Sequence, residues 1–111
     1  MESSKKFKVY HSSRFDRELS RRDKNFQERI DKIEDQLVEN PYVGDPLNVK
    51  WFREKRYDKF RIYYLIYEEL DAVIMVAISE KKNQQKTINS IRLLFSFFRN
   101  ELEKLIIEDI T

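Results

Sequence analysis

Apolar residues change their spacing along this chain, and each change marks a different element. Phe7 and Val9 alternate with lysines, which predicts a short strand over residues 8–10. Ser12 and Ser13 follow, the residue type that accepts hydrogen bonds from the first free N–H groups of a helix, and Phe15 and Leu19 then recur one turn apart. A second helix opens at Asp23 and carries Phe26, Ile30, Ile33 and Leu37 at helical spacing, with Glu28, Arg29, Asp31, Lys32, Glu34 and Asp35 on its wet faces. Asn40-Pro41 ends it, since the residue before a proline is driven out of the helical region, and Gly44-Asp45-Pro46 supplies the next turn. Strand chemistry then takes over. Residues 49–57, 60–68 and 72–79 are rich in aromatic and β-branched side chains, with Glu68-Glu69-Leu70-Asp71 as a hairpin connection, so a three-stranded antiparallel meander is expected. Past a polar hinge over residues 80–86, Ile91, Leu94, Phe95, Phe98, Leu102 and Leu105 restore the helical period. These elements predict an α+β fold: a short strand, two helices, the meander and a terminal helix. One domain is expected over residues 1–111, with residues 91–111 as a helical extension.

Composition narrows the chemistry. A chain of 111 residues that is 41% hydrophobic fills one core. Cysteine is absent, which removes disulfides, cysteine-based zinc sites and thiol nucleophiles, and the single His11 cannot build a multi-histidine centre. No metal and no cofactor are expected. His11, between a strand end and a helix cap, reads as a surface or capping residue. Residues 1–6 are charged and run into an apolar stretch too short for a signal peptide or membrane span, so a cytoplasmic protein with no membrane partner is expected.

Charge is unevenly spread. The net charge is +2, yet residues 50–64 hold Lys50, Arg53, Lys55, Arg56, Lys59 and Arg61 against only Glu54 and Asp58. That concentrates a positive field on the strands, as phosphate recognition requires. Arg61 lies midway along an apolar strand, where a charge is costly unless it meets a carboxylate or a bound phosphate. The plainer structural readings are an edge strand protected by lysines, a salt bridge from Arg61 to Glu54 or Asp58, and a solvated loop carrying Lys81, Lys82 and Lys86.

The order of elements, together with the segments YHSSRFDREL, NPYVGDPL and FREKRYDKFRIYYLIYEELDAVIMVAISEKK, resembles the RelE/ParE toxin superfamily of type II toxin–antitoxin systems over roughly residues 7–90. The RelE-like mRNA interferases are the nearer branch. The resemblance implies one curved sheet with the helix pair on one side and a basic concave surface on the other. It also implies a metal-independent endoribonuclease that enters the ribosomal A site and cuts the bound mRNA, the substrate's own 2′-hydroxyl attacking the adjacent phosphate. By position, Arg61 matches the strand arginine that holds the phosphate. Lys82 falls where active members carry a second arginine, the donor to the leaving oxygen. Arg53, Lys55, Arg56, Lys59, Lys81 and Lys86 are then the expected RNA-binding residues.

Two positions depart from that pattern. Ile88 stands where active RelE-type members carry a tyrosine that stacks on a base and assists proton transfer, and isoleucine does neither. Loss of such a group costs about two to four orders of magnitude in rate, which implies weakened or absent catalysis unless Tyr57 or Tyr63 stands beside Arg61. Lys82 offers a point charge in place of a planar fork. These departures leave two alternatives: a ParE-like toxin that inhibits DNA gyrase by binding it, or a non-catalytic antitoxin-binding homologue.

The C-terminal segment carries separate information. Over residues 88–98 the apolar positions go nearly round the helix, and the tail beyond alternates charges with Leu102, Leu105, Ile106 and Ile107. Either the tail packs back over Phe97 and Phe98 or the helix is an interface, with Leu94, Phe95, Phe97, Phe98 and Leu102 as the partner-binding candidates. The resemblance supplies a cognate antitoxin as partner. It supplies the ribosome with A-site mRNA as the target of a RelE-like chain, and gyrase as that of a ParE-like one. A homodimer through the same helix is the competing account.

Overall fold

The computed structural model describes residues 5–111; residues 1–4 of the charged start over 1–6 lie outside the described residues. Strand β1 (Lys8–His11) leads into helices α1 (Ser13–Ser20) and α2 (Lys24–Glu39). Both expected caps form. Ser12 Oγ accepts from the Phe15 N–H at 3.0 Å and Asp23 Oδ1 from the Phe26 N–H at 2.8 Å, each satisfying a donor that the helix leaves free. A short turn over Pro41–Val43 follows. The chain continues through β2 (Asp45–Pro46), β3 (Phe52–Tyr57), β4 (Phe60–Tyr67), β5 (Ala72–Glu80), α3 (Gln84–Leu93) and α4 (Phe95–Ile110). The strands make one sheet in the order β1-β5-β4-β3-β2, with β1 parallel to β5 and the other pairs antiparallel.

The class is α+β with the predicted order of elements, and the departures are local. Strand β3 starts at Phe52 rather than at residue 49, because Asn48 takes a left-handed conformation (φ 72°) and turns the chain just before it. The Gly44-Asp45-Pro46 turn ends in a two-residue strand paired to Glu54 and Arg53. Gly44 is required there, since a Cβ would lie 2.5 Å from the Glu54 carbonyl oxygen and 2.6 Å from the Tyr64 hydroxyl. The expected polar hinge over residues 80–86 is helical from Lys81 onward, and the terminal helix is two helices broken at Leu94. The break turns Phe95 onto Trp51 and Phe52, at ring separations of 4.8 and 5.4 Å.

Both faces of the sheet are buried. On one, Ile62, Tyr64 and Ile66 of β4 and Val73, Met75 and Ile78 of β5 pack against Phe15, Phe26, Ile30, Ile33 and Leu37 of α1 and α2. On the other, Phe52, Tyr63, Leu65, Ile74 and Val76 pack against Ile88, Ile91, Phe98 and Leu102 of α3 and α4. The expected open concave surface is therefore largely filled by the chain's own C-terminal helices. Phe98 and Leu102 are fully buried within the chain, which corrects their assignment as partner-binding residues. Phe97 and Leu93 stay outside, at 56% and 87% exposure.

His11 is more than a surface cap. Its Nδ1 lies 2.7 Å from Asp16 Oδ1 and its Nε2 2.5 Å from Glu34 Oε2, so the ring ties β1 to both helices. Burial disfavours the charged ring, but the hydrogen bonds and charges of Glu34 and then Asp16 outweigh it and raise its pKa above 6.5. A raised folded pKa gives stability that is fully present below the unfolded value and lost as pH rises through the folded one. Urea denaturation should accordingly show the wild-type midpoint falling between about pH 6 and about pH 9 by more than that of His11→Gln. Parallel pH profiles would mean that the two carboxylates do not hold the imidazolium. The packing makes a second prediction. Phe98→Ala should cost about 3–5 kcal/mol in the same assay, and Phe97→Ala, one residue away on the wet side, less than about 1 kcal/mol.

Candidate functional site

Strand register decides which charged side chains share a face. In the β3–β4 pair, Glu54 lies opposite Tyr63 and Arg56 opposite Arg61, whereas Arg53 and Lys55 lie opposite Tyr64 and Ile62. Directly paired residues point the same way, so Glu54, Arg56, Arg61 and Tyr63 face the α3/α4 side. Arg53 and Lys55 face the helix pair. Arg61 thus stands on the side away from α1 and α2, as its alternation with Phe60 and Ile62 predicts, and of the β3 cations only Arg56 shares its face.

Arg61 is 6% exposed. Its Nη1 donates to the carbonyl oxygens of Phe60 at 2.9 Å and Asp58 at 3.3 Å, and its Nε is buried with no hydrogen-bond partner. The alternative of a salt bridge to Glu54 or Asp58 is not realised: among the described residues no carboxylate pairs with Arg61. A buried guanidinium held by two carbonyls, with one donor unmet, is an expensive arrangement for structure alone.

Polar groups gather round it. Ser79 lies opposite Arg61 across β5, and its Oγ is 2.9 Å from the Tyr63 hydroxyl. A bulge brings them together, because Val76 is an extra residue between the partners of Tyr63 and Tyr64 and shifts the register toward the end of β5. Burial raises the Tyr63 pKa, and Glu54 adds to this, while the Ser79 bond and Arg61 oppose it. The phenol keeps its proton at neutral pH. Glu54, itself buried, receives Gln84 Nε2 on both oxygens at 2.8 and 2.9 Å. One cation, one carboxylate and one phenol therefore share this part of the sheet, a set able to stabilise charge and to exchange a proton.

The other expected residues divide. Arg53 is structural: Nε, Nη1 and Nη2 donate to the carbonyls of Gly44, Lys50 and Tyr42, and its guanidinium lies 5.3 Å from the Tyr42 ring centre. It pins the 42–50 loop and has no free fork for RNA. Lys55 is half-buried on the wrong face for Arg61. Arg56 is exposed and paired to Asp45 at 3.4 Å. Lys59 occupies the β3–β4 turn, and its carbonyl accepts from the Lys81 N–H at 2.7 Å, so the two lysines meet at the tip of the sheet. Lys82 is exposed beside Glu80 at 3.8 Å, and Lys86 is exposed on α3. Tyr57 packs against Phe26 on the helix-pair side, its ring tilted by 58° at a centroid distance of 5.2 Å, which leaves Tyr63 as the tyrosine near Arg61. Ile88 is 6% exposed in the second core and does not present itself to a ligand. Sequence reasoning passed over Glu54, Ser79 and Gln84 as site residues. Alternation alone puts Glu54 on the face of Arg61, but Gln84 carried no signal, since its segment reads as a hinge.

No protein-family model and no curated protein matches the chain. Solved structures do. The fold is similar to that of an E. coli RelE toxin in the free state, carrying two arginine-to-alanine substitutions, with a TM-score of 0.69 at 11% identity over 80% of this chain and 98% of that one. The intact E. coli RelBE toxin–antitoxin complex gives 0.61 at 13% identity over 67% and 95%, and the RelBE2 toxin–antitoxin complex of Mycobacterium tuberculosis 0.60 at 18% over 72% and 97%. Each of those chains is matched nearly end to end, while part of this chain has no counterpart in them. The chain has the fold of the RelE toxins.

Proposed function

We propose that this chain is the toxin of a type II toxin–antitoxin pair and acts as a ribosome-dependent mRNA endonuclease. The observation that carries the reading is Arg61, a buried guanidinium with no carboxylate partner among the described residues, at the tip of a RelE-type sheet. A phosphate is the missing counter-charge. In the proposed reaction the 2′-hydroxyl attacks the adjacent phosphorus, its proton passes to an acceptor for which Glu54 is the available carboxylate, and the P–O5′ bond breaks. Arg61 offsets the charge of the phosphorane, and the leaving oxygen takes a proton from the exposed Lys82. The similarity to toxin–antitoxin complexes supports a cognate antitoxin as partner.

A second reading has an observation of its own. Ile88 is core and α4 lies over the sheet face that an RNA would approach, an arrangement that favours a non-catalytic, antitoxin-binding homologue or a gyrase-binding toxin of the ParE type. The two readings separate on Arg61. On the nuclease reading, Arg61→Ala should lower ribosome-dependent cleavage about 10²–10³-fold and relieve growth inhibition on induction, with Lys32→Ala on the solvent side of α2 unchanged. Toeprints on ribosome-bound mRNA measure it, and growth inhibition that persists with no cut would sink the nuclease.

Packing also predicts the outcome at residue 88. A tyrosine there must enter the apolar cluster of Ile91, Phe98 and Leu102, so Ile88→Tyr should cost about 1–3 kcal/mol of stability and leave cleavage without a gain. Increased cutting in the same toeprint assay would show that the ring reaches the substrate.

A further inference from the structure

We infer that the groove between α1 and α3, lined by Arg22 and Lys86, together with the hollows that continue it past Arg21, binds the phosphate backbone of single-stranded RNA beyond the cleavage point. The identity of the ligand rests on the nuclease reading above; the groove itself rests on separate observations. Strand β1 covers β5 only as far as Met75, so Ile78, Ser79 and Glu80 form a free edge. Helices α1 and α3 flank that edge and leave a groove of about 570 Å3. Ile78 is its one apolar lining side chain among the described residues; Ser79, Asn83 and Ser90 present polar groups, and Arg14, Arg22 and Lys86 cations. Two adjoining hollows share Arg21 and Arg22 and carry the track on toward Tyr57 and Phe60.

The acidic groups in the groove are already engaged. Glu18 takes the Ile78 N–H at 2.8 Å on one oxygen and Arg14 Nε at 3.3 Å on the other, and Glu80 lies 3.8 Å from Lys82. Arg21, Arg22 and Lys86 have no carboxylate partner among the described residues. Arg22 is the most informative of them. Its guanidinium lies 5.1 Å from the Phe26 ring centre and 4.8 Å from that of Phe60, and its Nε is buried without a hydrogen-bond partner. The two rings account for its fixed position, but not for a donor taken from water and left unmet. A polar, cationic groove with little apolar lining suits a polyanion better than an amphipathic peptide. It is also continuous with the site: Ser79 lines the groove and bonds the Tyr63 hydroxyl.

The test is fluorescence anisotropy of the full chain with a labelled single-stranded oligoribonucleotide over a salt series. Arg21→Ala/Lys86→Ala changes two exposed side chains, and Arg22→Gln keeps most of the packing volume; urea midpoints of both confirm folding. The double variant should bind about tenfold more weakly and flatten the log–log salt slope by roughly 1.4, at about 0.7 for each phosphate that is no longer neutralised. Unchanged affinity and slope in both variants would overturn the proposal, even if Arg61→Ala abolished cleavage. Weakened binding in the groove variants, with growth inhibition by the wild-type chain but no cut in the toeprints, would keep the groove and remove the nuclease. Displacement of the RNA by a poly-glutamate peptide at equal charge would assign the groove to an acidic protein partner and also overturn the proposal.

Discussion

The two central strands are buried on both faces, and most of the molecule follows from that. Ile62 to Ile66 and Ala72 to Ile78 have no wet side, so the sheet needs a layer of helix above and below. Helices α1 and α2 supply one layer with a stripe of Phe26, Ile30, Ile33 and Leu37. Helices α3 and α4 supply the other with Ile88, Ile91, Phe98 and Leu102. Once both layers are in place, little of the sheet is left for a ligand except its tip, where β3 turns into β4 and β5 runs into α3. Arg56, Lys59, Arg61, Lys81 and Lys82 collect there, where the β3–β4 turn meets the end of β5.

At that tip, burial and charge work against each other. Arg61 is taken from water yet receives only carbonyl oxygens, and Glu54 is taken from water yet receives only an amide. The two lie on the same face of adjacent strands without forming an ion pair. Direct pairing would have offset part of the cost of burying each. Keeping them apart leaves a cation and a carboxylate with a tyrosine between them in register, a geometry with more use in proton and phosphate chemistry than in stability. The bulge at Val76 belongs to the same arrangement, since it brings Ser79 to the Tyr63 hydroxyl.

The likeness to the RelE toxins lies in the backbone, at identities of 11–18% in the structures compared. At that level fold and chemistry separate, and a site has to be argued from its own residues. Here the strand arginine is present in a constrained setting, while residue 88 is part of the core. The residues of the α3/α4 layer that close the second core also cover most of that face of the sheet.

The amino-acid sequence by itself determined the local elements. Capping at Ser12 and Asp23, the stop at Asn40-Pro41, the helical stripe of α2 and the face of Arg61 all depend on residues within a few positions of one another, and short-range sterics and periodicity settle such features. It also contained an unread signal, for the unbroken apolar runs of β4 and β5 demand cover on both faces, and the C-terminal helices are the segment left to provide it. What only the tertiary structure decided depends on distant pairings. Arg53 became a loop staple because the 42–50 loop folds over its guanidinium, Glu54 met Gln84 thirty residues away, and Arg22 was clasped between Phe26 and Phe60. Strand register and helix docking set those contacts, and neither is written in the spacing of nearby residues, because each is a balance of packing over the whole core.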